Sequence, residues 1–266
     1  MPSNYSHHEL SSFLFDLDNL TNSAFFEAID DVWEQIINDV HEYEKRELYK
    51  WYYGKLPAYP FSFIQSERPD IIYQRDEFVM GIESFQFDAS KKTRKGSKQR
   101  QQEIKADRVI HEEYQHSKVP GDGFLSIKKP VDVEFSITNY CESLLSALKS
   151  HSNSIANYRN HLAEISPDKK ILLSFFIEDS TALGNYVISN GKAEALNPLK
   201  LPFFLMELAS IQGLDYVIIK TTDSYVPSLQ FQKISKPILA ELLKNCYSPE
   251  DKYIQYQYER ESHYWG

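Results

Sequence analysis

The sequence predicts an α/β fold, a mixed central β-sheet flanked by helices, and three observations carry that expectation. Three short apolar segments between residues 61 and 87 follow one another closely enough to form a meander. KKILLSFFIED and GLDYVIIKTT are near-continuous apolar runs, the pattern of strands buried on both faces. Amphipathic segments separate and precede these runs, so helices are at hand to cover both sides of the sheet.

The first element is a long amphipathic helix from Ser23 to about Lys50, with Phe25, Phe26, Ile29, Val32, Trp33, Ile36, Ile37, Val40 and Tyr43 at three- and four-residue steps. Pro57 and Pro60 end any continuation, and FSFI at 61–64 is the first strand. PDIIYQ, a tight turn near Arg75 and Asp76, and EFVMGIESFQF then read as a hairpin with Val79, Gly81, Glu83, Phe85 and Phe87 on one face. SKKTRKGS is a polar loop before a strongly charged helix from about Ser97 to His116, and PGDG is a turn. FLSIKKPVDVEFSI is extended at best, broken by Pro130.

Asn139 and Glu142 have the spacing of a capping box, and Leu144, Leu145, Leu148, Ile155, Tyr158, Leu162 and Ile165 sustain a second long helix behind them. After the KKILLSFFIED strand, Asn190-Gly191 marks a hairpin turn beside that strand or at its edge. PFFLMELASI is a short helix with Pro202 at its start, and a further helix is expected at 236–246. Ile254, Tyr256 and Tyr258 alternate like an edge strand. A single domain over 1–266 accounts for this order, with a core from about 23 to 223 and an aromatic-rich extension over 224–266.

An apolar fraction of 42% with 25% charged residues excludes wholesale disorder. No basic leader with an apolar stretch behind it opens the chain, and no run of about 18 apolar residues occurs, so neither a secretory signal nor a membrane span is expected. Cys141 and Cys246 lie far apart with no zinc-ligand spacing, which makes a reducing cytoplasm the default location. There is no GxxxxGK[ST], GxGxxG or GxSxG; Asp179, Ser180 and Thr181 follow a strand without a nucleophile elbow. His111 and His116 stand five apart, off the four-residue step that pairs two imidazoles on one helix face.

Net charge is -9, yet residues 91–105 hold Lys91, Lys92, Arg94, Lys95, Lys98, Arg100 and Lys105 against Glu103 alone. One cationic strip on an acidic body can grip a polyanion locally while the whole surface does not. Directly before the strip, Asp70 and Glu83 sit on neighbouring strands of the hairpin, with a spacing that allows both side chains onto one side of the sheet.

With Pro69-Asp70 and Glu83-Ser84-Phe85, the chain resembles the PD-(D/E)XK superfamily of restriction-endonuclease-like nucleases, and the order of elements over roughly 23–223 resembles that family's core of helix, three strands, helix, strand. The resemblance implies a restriction-endonuclease-like core, Asp70 and Glu83 as ligands of Mg2+ or Mn2+, and cleavage of DNA or RNA. It also implies a lysine two places after Glu83 that orients or activates the attacking water. Phe85 stands there instead, and a phenyl ring can do neither. Gln86, Lys91 and Lys92 are the substitutes in reach; Gln86 points to the opposite face of a regular strand, which favours the lysines as catalytic residues beside Asp70 and Glu83. Glu34 or Glu42 on the first helix would complete the metal shell. Lys91, Lys92, Arg94, Lys95, Lys98 and Arg100 would hold phosphates. Phe85 motivates the alternative of a catalytically inactive module that binds nucleic acid, a protein partner or, through Tyr253 to Trp265, a second copy of itself.

Overall fold

Strand character in the middle of the chain follows from a period-two pattern in which both sets of side chains are apolar, so the segment must be covered twice. In the computed structural model, which describes residues 14, 30–55, 58–89, 92–93, 96–117, 124–131, 137–181, 185–223, 226–255 and 258–265, it is. Helices α1 (Asp31–Glu44) and α2 (Arg46–Tyr53) precede strands β1 (Ser62–Gln65), β2 (Ile71–Gln74) and β3 (Phe78–Phe87). The two-residue strands β4 (Lys92–Thr93) and β5 (Gly96–Ser97) lead into α3 (Lys98–His116), and β6 (Phe124–Val131) follows. Helices α4 (Ile137–Ser152) and α5 (Ile155–Ile165) come before β7 (Lys170–Asp179). Next are β8 (Asn185–Ser189), β9 (Lys192–Ala195), α6 (Pro202–Ser210), β10 (Tyr216–Asp223), β11 (Val226–Lys233), α7 (Lys236–Leu243), β12 (Lys252–Gln255) and β13 (Tyr258–Trp265).

The central sheet has six strands in the order β1-β2-β3-β7-β10-β11. It is mixed: β1, β2 and β3 are antiparallel neighbours, β3, β7 and β10 run parallel, and β11 returns antiparallel to β10. One face packs Val79, Phe85, Phe87, Leu173, Phe175, Ile177, Val217 and Ile219 against α4, α5, α6 and α7. The other packs Phe78, Met80, Ile82, Leu172, Phe176 and Ile218 against Trp33, Ile36 and Val40 of α1.

Polar anchors fix α1 at its start and along its length. Asp30 caps it, accepting from Trp33 N at 3.3 Å, and also accepts from Tyr216 Oη at 2.8 Å and Lys233 Nζ at 2.9 Å. Asp39, buried on the sheet side, accepts from Arg75 through Nε at 2.7 Å and Nη2 at 2.8 Å and from Tyr73 Oη. A bidentate pair with a third donor satisfies a carboxylate that burial would otherwise penalise.

Several elements depart from the expectations. The first helical stretch breaks at Lys45 and runs to Tyr53, where Gly54 in the left-handed region (φ 69) stops it by donating its N–H to Lys50 O. Residues 15–29 and Pro57 lie outside the described residues. Pro130 does not break β6: it pairs opposite Glu259 in a two-stranded sheet of β6 and β13, where an edge position leaves its missing N–H harmless. Asn139 is inside α4, which already begins at Ile137, so no capping box forms there. The second long helix is two helices, because Ser152, Asn153 and Ser154 turn the chain: Ser152 Oγ donates to Lys149 O and Ser154 N to His151 O. The Asn190-Gly191 hairpin pairs with β12, not with β7, and the tail divides between β12 and β13. The PGDG turn lies outside the described residues. No helix among the described residues is long and apolar enough to cross a membrane.

Candidate functional site

The β2–β3 ladder ends with Ile71 opposite Ile82; Asp70 directly precedes this last pair on one strand and Glu83 directly follows it on the other. Asp70 reaches β3 with its side chain: Oδ2 accepts from Ser84 N at 2.7 Å, while the Asp70 carbonyl accepts from Ser66 N at 2.8 Å. Pro69 is pressed against Gly81. A Cβ added there would meet Pro69 Cγ at 2.6 Å and Leu162 Cδ1 at 2.8 Å, so only glycine lets the turn carrying Asp70 lie this close to β3.

Glu83 points to the α4–α5 side and is 6% exposed. Its Oε1 accepts from Tyr158 Oη at 2.7 Å and from His151 Nδ1 at 2.8 Å. A carboxylate can only accept, so His151 carries its proton on Nδ1 in this contact. Glu83 Oε2 is buried with no hydrogen-bond partner among the described residues. Burial first, then the hydrogen bond to Glu83, pushes the Tyr158 hydroxyl up to about 12, and the charge of Asp70 adds to the rise. The charges of both carboxylates thus act on one hydroxyl.

Phe85 is buried on that same face. Its ring stacks on the His151 imidazole, 4.1 Å between centroids and 7° between planes, and meets Phe175 edge-on at 5.3 Å. His151 stands in the last turn of α4 with 29% of its side chain exposed, and Tyr158 in the first turn of α5. The turn at Ser152–Ser154 therefore lets two helices converge on one carboxylate.

The other expected residues lie elsewhere. Gln86 is exposed on the opposite face of β3. Lys92 is paired through its backbone with Ser97 in the β4–β5 hairpin, Lys98 and Arg100 open α3, and Lys91, Arg94 and Lys95 lie outside the described residues. Glu34 and Glu42 belong to α1, which covers the other face of the sheet. Glu34 is exposed and Glu42 pairs with Lys45 at 3.2 Å, so neither joins Glu83. Among the described residues no group of three or more His, Cys, Asp or Glu side chains converges to hold a metal ion. His111 contacts Gln115, and His116 contacts the Glu112 carbonyl, each on the exposed face of α3.

His151 and Tyr158 are the residues that sequence reasoning missed as site residues. The signal was present in the stripe Leu144, Leu148, Ile155, Tyr158, Leu162: position 151 falls on its three- and four-residue steps and holds a histidine where an apolar residue belongs.

At the ends of β3 and β7 a second buried carboxylate, Asp179, accepts from Tyr140 Oη and from Thr181 N, both at 2.9 Å, and Thr181 Oγ1 accepts from Ala89 N at 3.0 Å. These contacts close the strand ends over the core and leave the Asp179 carboxylate occupied.

Compared with known proteins, the chain matches no family model, no curated protein and no solved structure.

Proposed function

We propose that this chain is a metal-dependent nuclease with a restriction-endonuclease-like core, hydrolysing phosphodiester bonds of DNA or RNA with Mg2+ or Mn2+ held by Asp70 and Glu83. The observation that carries the reading is the buried oxygen of Glu83 that lacks a donor among the described residues, beside the end of the β2–β3 ladder that Asp70 precedes, with the charges of both carboxylates acting on Tyr158. A buried, unsatisfied carboxylate oxygen is costly, and a bound cation removes the cost. Mg2+ keeps several waters and is commonly held by one or two carboxylates with substrate phosphates, so two protein ligands suffice in number. The fold supports the same reading, with a helix, a three-strand meander, helices and a parallel strand in the order of that family's core.

When bound, the ion would neutralise phosphate charge and lower the pKa of a water. The chain's own residues fix the ligands in advance. Ser84 N–H holds Asp70, Tyr158 Oη holds one oxygen of Glu83 while the other is buried without a partner among the described residues, and Gly81 sets how closely the Asp70 turn lies against β3. The lysines and arginines of residues 91–100, which follow β3 in the chain, would supply phosphate contacts.

The test is incubation of the purified chain with Mg2+ or Mn2+ and single- and double-stranded DNA and RNA, beside Asp70→Asn and Glu83→Gln. Cleavage by the parent chain, lost in both variants, supports the reading; cleavage equal in all three, or in none, sinks it. A non-catalytic nucleic-acid-binding module is the second reading, favoured by Phe85 at the lysine position. Binding that weakens with salt and with neutralisation of Lys91, Lys92, Arg94 and Lys95, without any cleavage, would establish it.

A further inference from the structure

We infer that His151 takes the part that a lysine two places after Glu83 would play, holding the attacking water through Nε2. The inference rests on the nuclease reading and deepens it at the same site. Position 85 is on the Glu83 face of β3, and the imidazole lies flat on the Phe85 ring at 4.1 Å, over the ground that a lysine stem from position 85 would cross. Phe85 therefore fixes the plane of the imidazole while contributing no polar atom of its own.

The orientation within that plane is fixed as well. Nδ1 is on Glu83 Oε1 at 2.8 Å, and Nε2 lies across the five-membered ring from it, so it is directed away from that oxygen. Nε2 has no hydrogen-bond partner among the described residues, and with 29% of the side chain exposed His151 is open to water, whereas Glu83 beneath it is not. With the proton on Nδ1, Nε2 presents a lone pair that accepts from a water O–H. The arrangement is one buried carboxylate, one imidazole clamped by a hydrogen bond and a stack, and one outward nitrogen. A histidine serving only to fill the core needs no carboxylate partner and no exposed edge, and one serving only the surface does not stack inside the sheet's apolar layer.

The experiment uses the full chain and reads Mn2+ binding by electron paramagnetic resonance alongside steady-state cleavage. His151→Ala is expected to keep Mn2+ affinity within about threefold and KM within about fivefold, while kcat falls by about 100-fold, the cost of a misplaced reactant. The double variant Phe85→Lys/His151→Ala, which supplies the lysine and clears the ring above it, is expected to recover at least about tenfold of that loss. Thermal melting checks the fold, and His151→Gln, which retains a donor toward Glu83, replaces His151→Ala if the latter unfolds. A fall in Mn2+ affinity in step with the rate makes His151 only a support of Glu83, and cleavage by His151→Ala at the parent rate makes it a bystander; either result overturns the inference and leaves the nuclease reading standing. A parent chain that binds no Mn2+ and cleaves nothing overturns both.

Discussion

The rings of Phe85 and His151 are stacked, 4.1 Å apart at their centroids, and through this one contact a residue of the sheet sets the position of a side chain on the last turn of α4. Truncation should therefore act twice. Phe85→Ala is expected to lower stability by about 3–5 kcal/mol, the range for removing a buried phenyl ring, and to loosen the Glu83–His151 hydrogen bond. Urea denaturation measures the first effect. The second appears as loss of the upfield ring-current shift on the His151 carbon-bound protons; an unchanged spectrum would mean the stack is not formed in solution.

Gly81 makes a separate prediction. Gly81→Ala forces a methyl into Pro69 and Leu162, and overpacking of this kind costs about 1–3 kcal/mol. Because Pro69 precedes Asp70, the same variant should weaken Mn2+ binding, while Gly191→Ala, whose added Cβ meets nothing within 4 Å, should leave it unchanged. Equal Mn2+ affinity in the two variants would separate Asp70 from the site.

On the other face, Asp39→Ala strips a half-buried Arg75 guanidinium and the buried Tyr73 hydroxyl of their common acceptor. Breaking a buried pair by removing one partner costs about 3–5 kcal/mol, measured by chemical denaturation. The loss should uncouple α1 from the sheet and leave the Glu83 side intact, so tryptophan emission from Trp33 should shift before the His151 proton resonances move. Simultaneous change at both would refute the separation.

Asp179 predicts a pH dependence. Burial raises its carboxyl to about 6, with Asp88 adding to the rise and hydrogen bonds from Thr181 and Tyr140 opposing it. The native state thus holds a proton that the unfolded chain, titrating near 3.8, has released. Where the folded state binds more protons, stability falls as pH increases, so this group's contribution is full below about pH 4 and lost by about pH 6, some ~3 kcal/mol in all. Asp179→Asn should remove that slope. The check is the difference in urea midpoints between parent and variant at pH 4, 5, 6 and 7: a difference constant over the range would contradict the assignment.

The sheet was legible where burial on both faces leaves a continuous apolar run. KKILLSFFIED and GLDYVIIKTT form β7 and β10, and the turn at Arg75 and Asp76 joins β2 to β3 as the alternation in EFVMGIESFQF requires. Partners outside the central sheet were not legible, since strand pairing over long separations leaves no local trace: β6 finds β13 more than 120 residues later. Local signals also misled when a stronger competitor stood nearby. Gly54 stops a helix ahead of the prolines, and Ser152, Asn153 and Ser154 divide a stripe whose periodicity runs on across the break. That break hid the site. That Asp70 and Glu83 belong to one hairpin could be read from the sequence alone, but the residues that contact Glu83 include ones beyond residue 150, and only the fold brings them to it.

Strand β3 is a partition wall. Its odd residues from Val79 to Phe87 belong to the chamber that holds Glu83, and its even residues from Phe78 to Ile82 to the chamber sealed by α1. Changes on one side of such a wall are insulated from the other by a layer of backbone, so substitutions at neighbouring positions in this strand should combine almost independently, while substitutions two apart interfere. The chamber of Glu83 can then change its chemistry while the other keeps the fold standing.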